Sequence, residues 1–266
     1  MIQKITRFLR LYFIQAWFSY RALSVWNTPF TYLVSKLGFP FFTMLLFVFM
    51  GKFIGMADPV YIVIGNILLY PSTYCISGVS QTIANERFFG ALSSLLGSPA
   101  PRAPLFLGRA LTHILDGIAT VIVALAIAIP IFHLDIHQTH PGLVFLCILI
   151  TTLTTSGIGF LMGSIYLISR DGWMITSTLS IGLYILVGVN FPIDLLPPAL
   201  KVISYGLPMT RGILATRMAL AGAAWGNIAP LLLGEILVGA LYGIAGYALF
   251  WWMEKRSLVT GSLDHL

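Results

Sequence analysis

The stretch Glu86-Arg87-Phe88-Phe89-Gly90-Ala91-Leu92-Ser93-Ser94-Leu95-Leu96-Gly97-Ser98-Pro99 lies between two long apolar runs. A connection between membrane spans needs only turn residues. This one instead carries apolar residues at 88, 92, 95 and 96, which is helical spacing. A helix outside the bilayer with an apolar face is built to dock into something. Pro99, Pro101 and Pro104 bring it to an end.

The composition agrees with a membrane setting. The 266-residue chain is 58% hydrophobic and 9% charged, with a mean hydropathy of +0.92. Soluble domains carry about 25% charged residues, so the chain reads as an all-α integral membrane protein. Its length accommodates about six spans of roughly 20 residues, and no polar stretch is long enough for a separate soluble domain. The net charge of +6 does not point to nucleic acid, because the basic residues sit at span boundaries rather than in one patch. Cys75 and Cys147 both fall in apolar runs without metal-ligand spacing and read as small apolar residues.

Residues 2–23 place Ile5, Phe8, Leu9, Tyr12, Phe13, Ala16, Trp17 and Tyr20 at helical spacing, with Lys4, Arg7 and Arg10 between them. This predicts an amphipathic helix in the membrane interface over about residues 1–28. No compact apolar core with a small-residue cleavage site comes after the basic residues, so the segment is expected to be retained. The spans are expected at about 29–54, 60–83, 104–132, 142–168, 173–190 and 228–252. Lys36 and Lys52 are expected to snorkel from the two ends of the first.

Loop charges set the orientation. With the N-terminus inside, eleven basic residues face the cytoplasm: Lys4, Arg7, Arg10, Arg21, Lys36, Arg87, Arg102, Arg109, Arg170, Lys255 and Arg256. Only Lys52, Lys201, Arg211 and Arg217 then lie outside. Both termini are therefore expected in the cytoplasm, together with the 86–99 segment.

The 191–227 stretch is broken by Pro192, Pro197, Pro198 and Pro208, yet too apolar for a solvated loop. Two short helical pieces dipping into the outer leaflet satisfy both facts. Such irregular backbone must be covered by protein or line a cavity.

Two motifs carry a resemblance to a known family. Residues 86–99 resemble the cytoplasmic coupling helix of type-2 ABC transporter permeases, in which the pattern Glu-Arg-x-x-Gly-Thr-Leu-Glu-x-Leu-x-x-Ser-Pro recurs. Glu86, Arg87, Gly90, Leu92, Leu95, Ser98 and Pro99 match, whereas Ala91 and Ser93 stand where Thr and Glu are usual. The run Phe191-Pro192-Ile193-Asp194-Leu195-Leu196-Pro197, with Leu207-Pro208 after it, resembles the Phe-Pro-Ile-x-x-Leu-Pro landmark that opens the re-entrant pair before the last span. The chain is thus identified as resembling such a permease over essentially its whole length.

The resemblance implies six spans over residues 29–266, a coupling helix at 86–99 and a re-entrant region at 191–227 containing Phe191, Pro192, Leu196, Pro197 and Pro208. It implies a bacterial inner-membrane location. It also implies partners: cytoplasmic ABC ATPase subunits, a second permease subunit, identical or related, and membrane lipids. Glu86 and Arg87 would make rim contacts with the ATPase while Phe88, Leu92 and Leu95 fill its cleft. No Gly-x-x-x-x-Gly-Lys-Ser/Thr phosphate loop occurs in the chain, so ATP and Mg would be bound by the partner, with no catalytic residue and no cofactor here. Ser93 in place of Glu suggests that the second permease is a different, more typical chain. The cargo implied is amphiphilic: a drug, antibiotic, lipid or lipid-linked glycan, with wording closer to the drug-resistance branch than to capsule export.

Two charges fall inside spans. Asp116 lies midway along the third and Glu235 about two turns into the sixth. A charge there costs several kcal/mol unless paired or hydrated. Three readings stand: lining of a polar substrate route, proton coupling, or hydrogen bonding between helices, with His113 placed to share the face of Asp116. His133, Asp135, His137 and His140 cluster in an outer loop, but Pro141 ends any helix there and no metal site is assigned. Gly157, Gly159 and Gly163, and Gly239, Gly243 and Gly246, read as close-packing positions rather than phosphate cradles. An alternative class, a proton- or ion-coupled secondary transporter, would use Asp116 and Glu235 but normally shows an internal repeat, and none is visible. No nucleophile–base pair or metal motif supports an intramembrane enzyme.

Overall fold

The computed structural model describes residues 2–26, 28, 30–31, 34–53, 55, 59–88, 102–134, 139–166 and 172–260. Among them the secondary structure is helical throughout, with no strand. The helices are α1 (Ile2–Trp26), α2 (Phe39–Phe53), α3 (Pro59–Phe88), α4 (Arg102–Phe132), α5 (Pro141–Tyr166), α6 (Gly172–Leu186), α7 (Pro198–Gly206), α8 (Thr210–Leu220) and α9 (Trp225–Thr260). A π-helical turn, Val34–Gly38, leads into α2, and a 3₁₀ turn, Ile193–Leu195, precedes α7.

Four helices are long and apolar enough to cross a membrane, over Val60–Thr82, Ala110–Phe132, Pro141–Tyr166 and Trp225–Met253. The first and fifth expected spans are shorter as helices, Pro40–Phe53 and Met174–Leu186. At 1.5 Å per residue, a 15-residue helix such as α6 reaches about 22 Å, short of the roughly 30 Å of bilayer hydrocarbon. Non-α-helical backbone flanks both helices: the π turn before α2 and residues 187–192 after α6. Residues 89–101, most of the expected coupling helix, lie outside the described residues. Glu86, Arg87 and Phe88 form the last turn of α3, which runs on past the expected end of the second span.

The long helix α5 is the centre of the bundle, with α3, α4, α6, α8 and α9 packed around it. Its buried threonines find partners within the helix itself. The hydroxyls of Thr151, Thr152 and Thr155 donate to the carbonyls of Cys147, Ile148 and Thr151, one turn earlier, at 2.6, 2.9 and 2.5 Å. Each buried O–H is thereby satisfied within its own helix. The face toward α9 is built from glycine, as the small-residue spacing suggested. A Cβ at Gly157 would stand 2.8 Å from the carbonyl oxygen of Gly239 and 3.0 Å from the amide of Gly243. One at Gly246 would stand 2.7 Å from the amide of Leu161. Ser164 Oγ crosses this seam to the carbonyl of Gly246 at 2.9 Å. Gly159 faces the other way, against Val79 and Ile76 of α3.

The amphipathic α1 lies on α4. Gly108 abuts the backbone of Tyr12, and Thr112 Oγ donates to the carbonyl of Ala16 at 3.0 Å. Phe13, Trp17, Phe18 and Tyr20 remain exposed on its outer side. On the opposite flank Tyr184 of α6 stacks on Phe47 of α2, centroids 6.4 Å apart, and meets Tyr70 of α3 edge-on at 5.7 Å. Cys75 and Cys147 are buried free thiols.

The α5–α9 seam yields a direct test. Gly157→Val drives a branched side chain into backbone, and overpacking of this kind costs about 1–3 kcal/mol. The thermal midpoint of the purified chain in detergent is expected to fall clearly. Gly142→Ala, at a site with nothing within 4 Å of the added carbon, is expected to leave that midpoint unchanged.

Candidate functional site

The proline-broken stretch folds as two short helices, as its composition suggested. Pro198 opens α7 at the first helical position, where its missing N–H is no loss. Pro208 is buried in the turn to α8. Pro192 and Pro197 are exposed, Leu196 is buried and Phe191 is half-buried.

The start of α8 is held by a buried carboxylate. The first amides of a helix have no partner within it. Here the Met209 N–H donates to Glu235 Oε1, and the Gly212 N–H donates to Oε2 at 3.1 Å. Thr154 Oγ of α5 adds a third donor to Oε1 at 2.8 Å. Glu235 is fully buried, so its carboxylate reaches no solvent and is satisfied by two backbone amides and one hydroxyl. The positive end of the α8 dipole adds to this. Met209 carries a φ of 85°, a region that non-glycine residues seldom occupy. That conformation aims its amide at the carboxylate, and the completely buried side chain holds it there.

A second knot ties α8 to the end of α6. Arg217 donates to the carbonyls of Gly188, Val189 and Tyr61, each at 2.8 Å. Its guanidinium also lies 3.4 Å from the centroid of the Tyr61 ring. Tyr61 OH donates to the Gly188 carbonyl at 3.1 Å, and Asn66 Nδ2 donates to Asn190 Oδ1 at 2.9 Å. The chain just before Phe191 is therefore bound to the N-terminal part of α3.

The third polar cluster joins the π turn to α4. Lys36 Nζ forms an ion pair with Asp116 Oδ2 and sits 4.7 Å from the Tyr74 ring centroid. The two side chains are only 18% and 17% exposed. Lys36 does not snorkel to a membrane boundary, because a carboxylate midway along α4 holds it. His113, three residues before Asp116 on α4, lies near this pair and packs against Gly78 of α3.

Asp116 and Glu235 are thus not brought together. Each is engaged in its own cluster, one with Lys36 and one with the start of α8. Of the 86–99 residues, Glu86, Arg87 and Phe88 close α3, and Gly90, Leu92 and Leu95 lie outside the described residues. Asp135 and His137 also lie outside them, and among the described residues no three His, Cys, Asp or Glu side chains gather as a metal site. Sequence reading did not single out Arg217, Asn66 or the pairing of Lys36. Lys36 and Asp116 stand eighty positions apart, and Arg217 binds carbonyls, which leave no mark in a sequence.

Two consequences are measurable as thermal midpoints. Each backbone amide stranded by Glu235→Leu costs about 1–3 kcal/mol. The expected stability order is Glu above Gln above Leu at position 235, since Gln keeps one acceptor oxygen. For the ion pair, Lys36→Met or Asp116→Leu alone strands a charge at a cost of about 3 kcal/mol. The double substitution is expected to regain most of that loss.

Residues 12–221 match the model of a protein family described as ABC-2 type transporter. The matched segment runs from within α1 to the turn after α8 and takes in every cluster described above except Glu235 itself. No curated protein matches the chain.

Proposed function

This chain belongs to the ABC-2 type transporter family, and from that premise we propose that it is the permease subunit of an ATP-driven exporter for an amphiphilic substrate. As a member of the family it is a membrane transport component, with the ATPase in partner chains. In the proposed assembly α2, α3, α4, α5, α6 and α9 are the six spans, and α7 and α8 form the re-entrant pair on the outer side. Both termini face the cytoplasm of a bacterium, and a second permease subunit completes the translocation unit. ATP and Mg bind to the partner ATPase.

The observation that carries the reading, beside the family match, is the state of the two charges inside the bundle. A proton-coupled carrier needs ionisable groups that exchange protons at the midplane. Asp116 is held by Lys36, and Glu235 is sealed by three donors. Energy must then come from elsewhere, and the 86–99 segment is where it would enter. Its first residues are the last turn of α3, whose membrane-crossing part is 83% buried. A push on Glu86, Arg87, Phe88, Gly90, Leu92 and Leu95 by an ATPase would act on the most buried of the four long spans among the described residues. The apolar surface of the spans favours an amphiphilic cargo over a small ion.

The test uses the chain co-expressed with the ABC ATPase encoded nearest to it. Leu92→Asp places a charge on the proposed docking face, and recovery of the ATPase with the purified permease is expected to drop at least about tenfold, since a buried unpaired charge costs several kcal/mol. Undiminished recovery overturns the docking assignment. In inverted vesicles, transport of a fluorescent amphiphile is expected to require ATP and to survive a protonophore. Loss on adding the protonophore at constant ATP favours the secondary transporter instead.

A further inference from the structure

Packing on α4 occupies only one side of α1. Tyr12 and Ala16 bear on Gly108 and Thr112 of α4. Leu9, Phe13, Trp17 and Tyr20 form the next stripe round the helix and are exposed. Basic residues mark the far edge of that stripe. Trp17 and Arg21 stand seven and eleven residues beyond Arg10, close to two and three whole turns, so the three share one ridge about 16 Å long. Arg21 lies 5.8 Å from the centroid of the Trp17 ring. Arg10 is exposed and has no carboxylate partner among the described residues. The helix contains Lys4, Arg7, Arg10 and Arg21 and no Asp or Glu.

The last turns of α9 repeat the arrangement. Trp251 and Trp252 are exposed, and Lys255 Nζ sits 3.7 Å from the Trp251 ring centroid. Lys255 is exposed and also has no carboxylate partner among the described residues. Glu254 precedes it and Arg256 follows, so this turn carries a net positive charge. Both surfaces lie at one end of the bundle. The contact of α1 is near the start of α4. A short connection makes α5 begin where α4 ends, which sets the end of α5 level with the start of α4. There Ser164 meets Gly246 of α9, and Lys255 stands beyond it. At the other end, Lys201 is neutralised by Asp194 at 3.1 Å.

An exposed indole beside a cation suits the boundary of a bilayer, where the ring meets the glycerol layer and the cation meets phosphate. With no acid on α1 to oppose them, its cations favour a head group of net negative charge over a zwitterionic one. We propose that this end of the chain is a docking surface for anionic phospholipid head groups. Arg10 and Lys255 each pair with a lipid phosphate, while Trp17 and Trp251 seat beside the glycerol. A lipid held at Arg10 also pins α1, and with it the start of α4. The surface selects head-group charge, which an amphipathic helix does not do by lying in the interface alone. It works whichever end faces the cytoplasm and does not require the exporter reading.

Photolabelling of the purified full chain in phosphatidylcholine nanodiscs tests this without ATP or an ATPase. The probes are phosphatidylglycerol and phosphatidylcholine with identical acyl chains, each carrying a diazirine close to the glycerol. Labelled peptides are mapped by mass spectrometry. Around Arg10 and around Lys255 the phosphatidylglycerol probe is expected to exceed the phosphatidylcholine probe about fivefold or more, the worth of one cation near such a surface. Arg10→Gln is expected to cut that excess about fivefold on α1 alone, and Lys255→Gln on α9 alone. Arg10→Lys is expected to keep most of it. Both positions are exposed, so the thermal midpoint in detergent is expected to stay unchanged. Equal labelling by the two probes on the native chain overturns the proposal, and so does an excess at either surface that its own substitution leaves intact. An equal excess around Lys201 also overturns it, since the net charge of the chain would then be acting without a site. Loss of the excess to inorganic phosphate at matched ionic strength would assign the cations to a soluble anion instead.

Discussion

A helix that begins inside a membrane protein must find acceptors for its first amide hydrogens where no water can serve. In this chain the carboxylate of Glu235 does so for Met209 and Gly212, and much of the packing depends on it. A carboxylate so deep needs donors on more than one side, and Thr154 of α5 supplies the third. For its hydroxyl to reach, α5 must approach α9 so closely that a Cβ at Gly239 would fall within 2.7 Å of the Thr154 backbone. The same approach presses Gly157 and Gly246 onto facing backbone. One buried group therefore fixes the register of α5 against α9 and the point at which α8 starts.

The other knots obey the same constraint. A guanidinium presents several donors in a fixed fork, and Arg217 directs them to three carbonyls beyond the end of α6 and at the start of α3. The C-terminal carbonyls of a helix are acceptors without intrahelical partners, and the negative end of the α6 dipole favours a cation there. Glu235 at one end of α8 and Arg217 near the other thus hold that helix between α9 and α3. The short pair α7 and α8 is not a loose excursion of the chain. Side chains from longer helices meet the hydrogen-bonding groups at its turns.

Much of this was legible in the sequence, and the illegible part has a common cause. Apolar runs and prolines located α4 and α5 and the starts of α3 and α9 within a few residues, though α3 and α9 run on to Phe88 and Thr260, past the expected ends at 83 and 252, and broke 191–227 into two pieces, because burial and missing amides act locally. Glycine spacing identified the α5–α9 seam for the same reason. Asp116 and Glu235 stood out as charges in apolar surroundings. Their partners did not, since Lys36 is far away in sequence and the donors to Glu235 are mainly backbone amides, identical at every position. The first and fifth spans were drawn longer than the α-helices found there, because hydropathy does not register helical hydrogen bonding, and neither the π turn nor residues 187–192 are α-helical.

The π turn also accounts for a gap of about 420 Å³ between α2 and α4. A π turn inserts a residue into the helical ladder and rotates the helix beyond it, so Lys36 can face Asp116 while α2 leans elsewhere. At its far side α2 is held to α6 by the stacking of Phe47 on Tyr184. With one end tied to α4 and its middle tied to α6, α2 cannot close over α4 unless the ion pair or the aromatic contact gives way. The residues between are too small to fill the space, with Gly38, Pro40, Thr120 and Ala124 all on its lining. Tight interiors normally leave no void of this size. This one persists because both of its walls are anchored elsewhere.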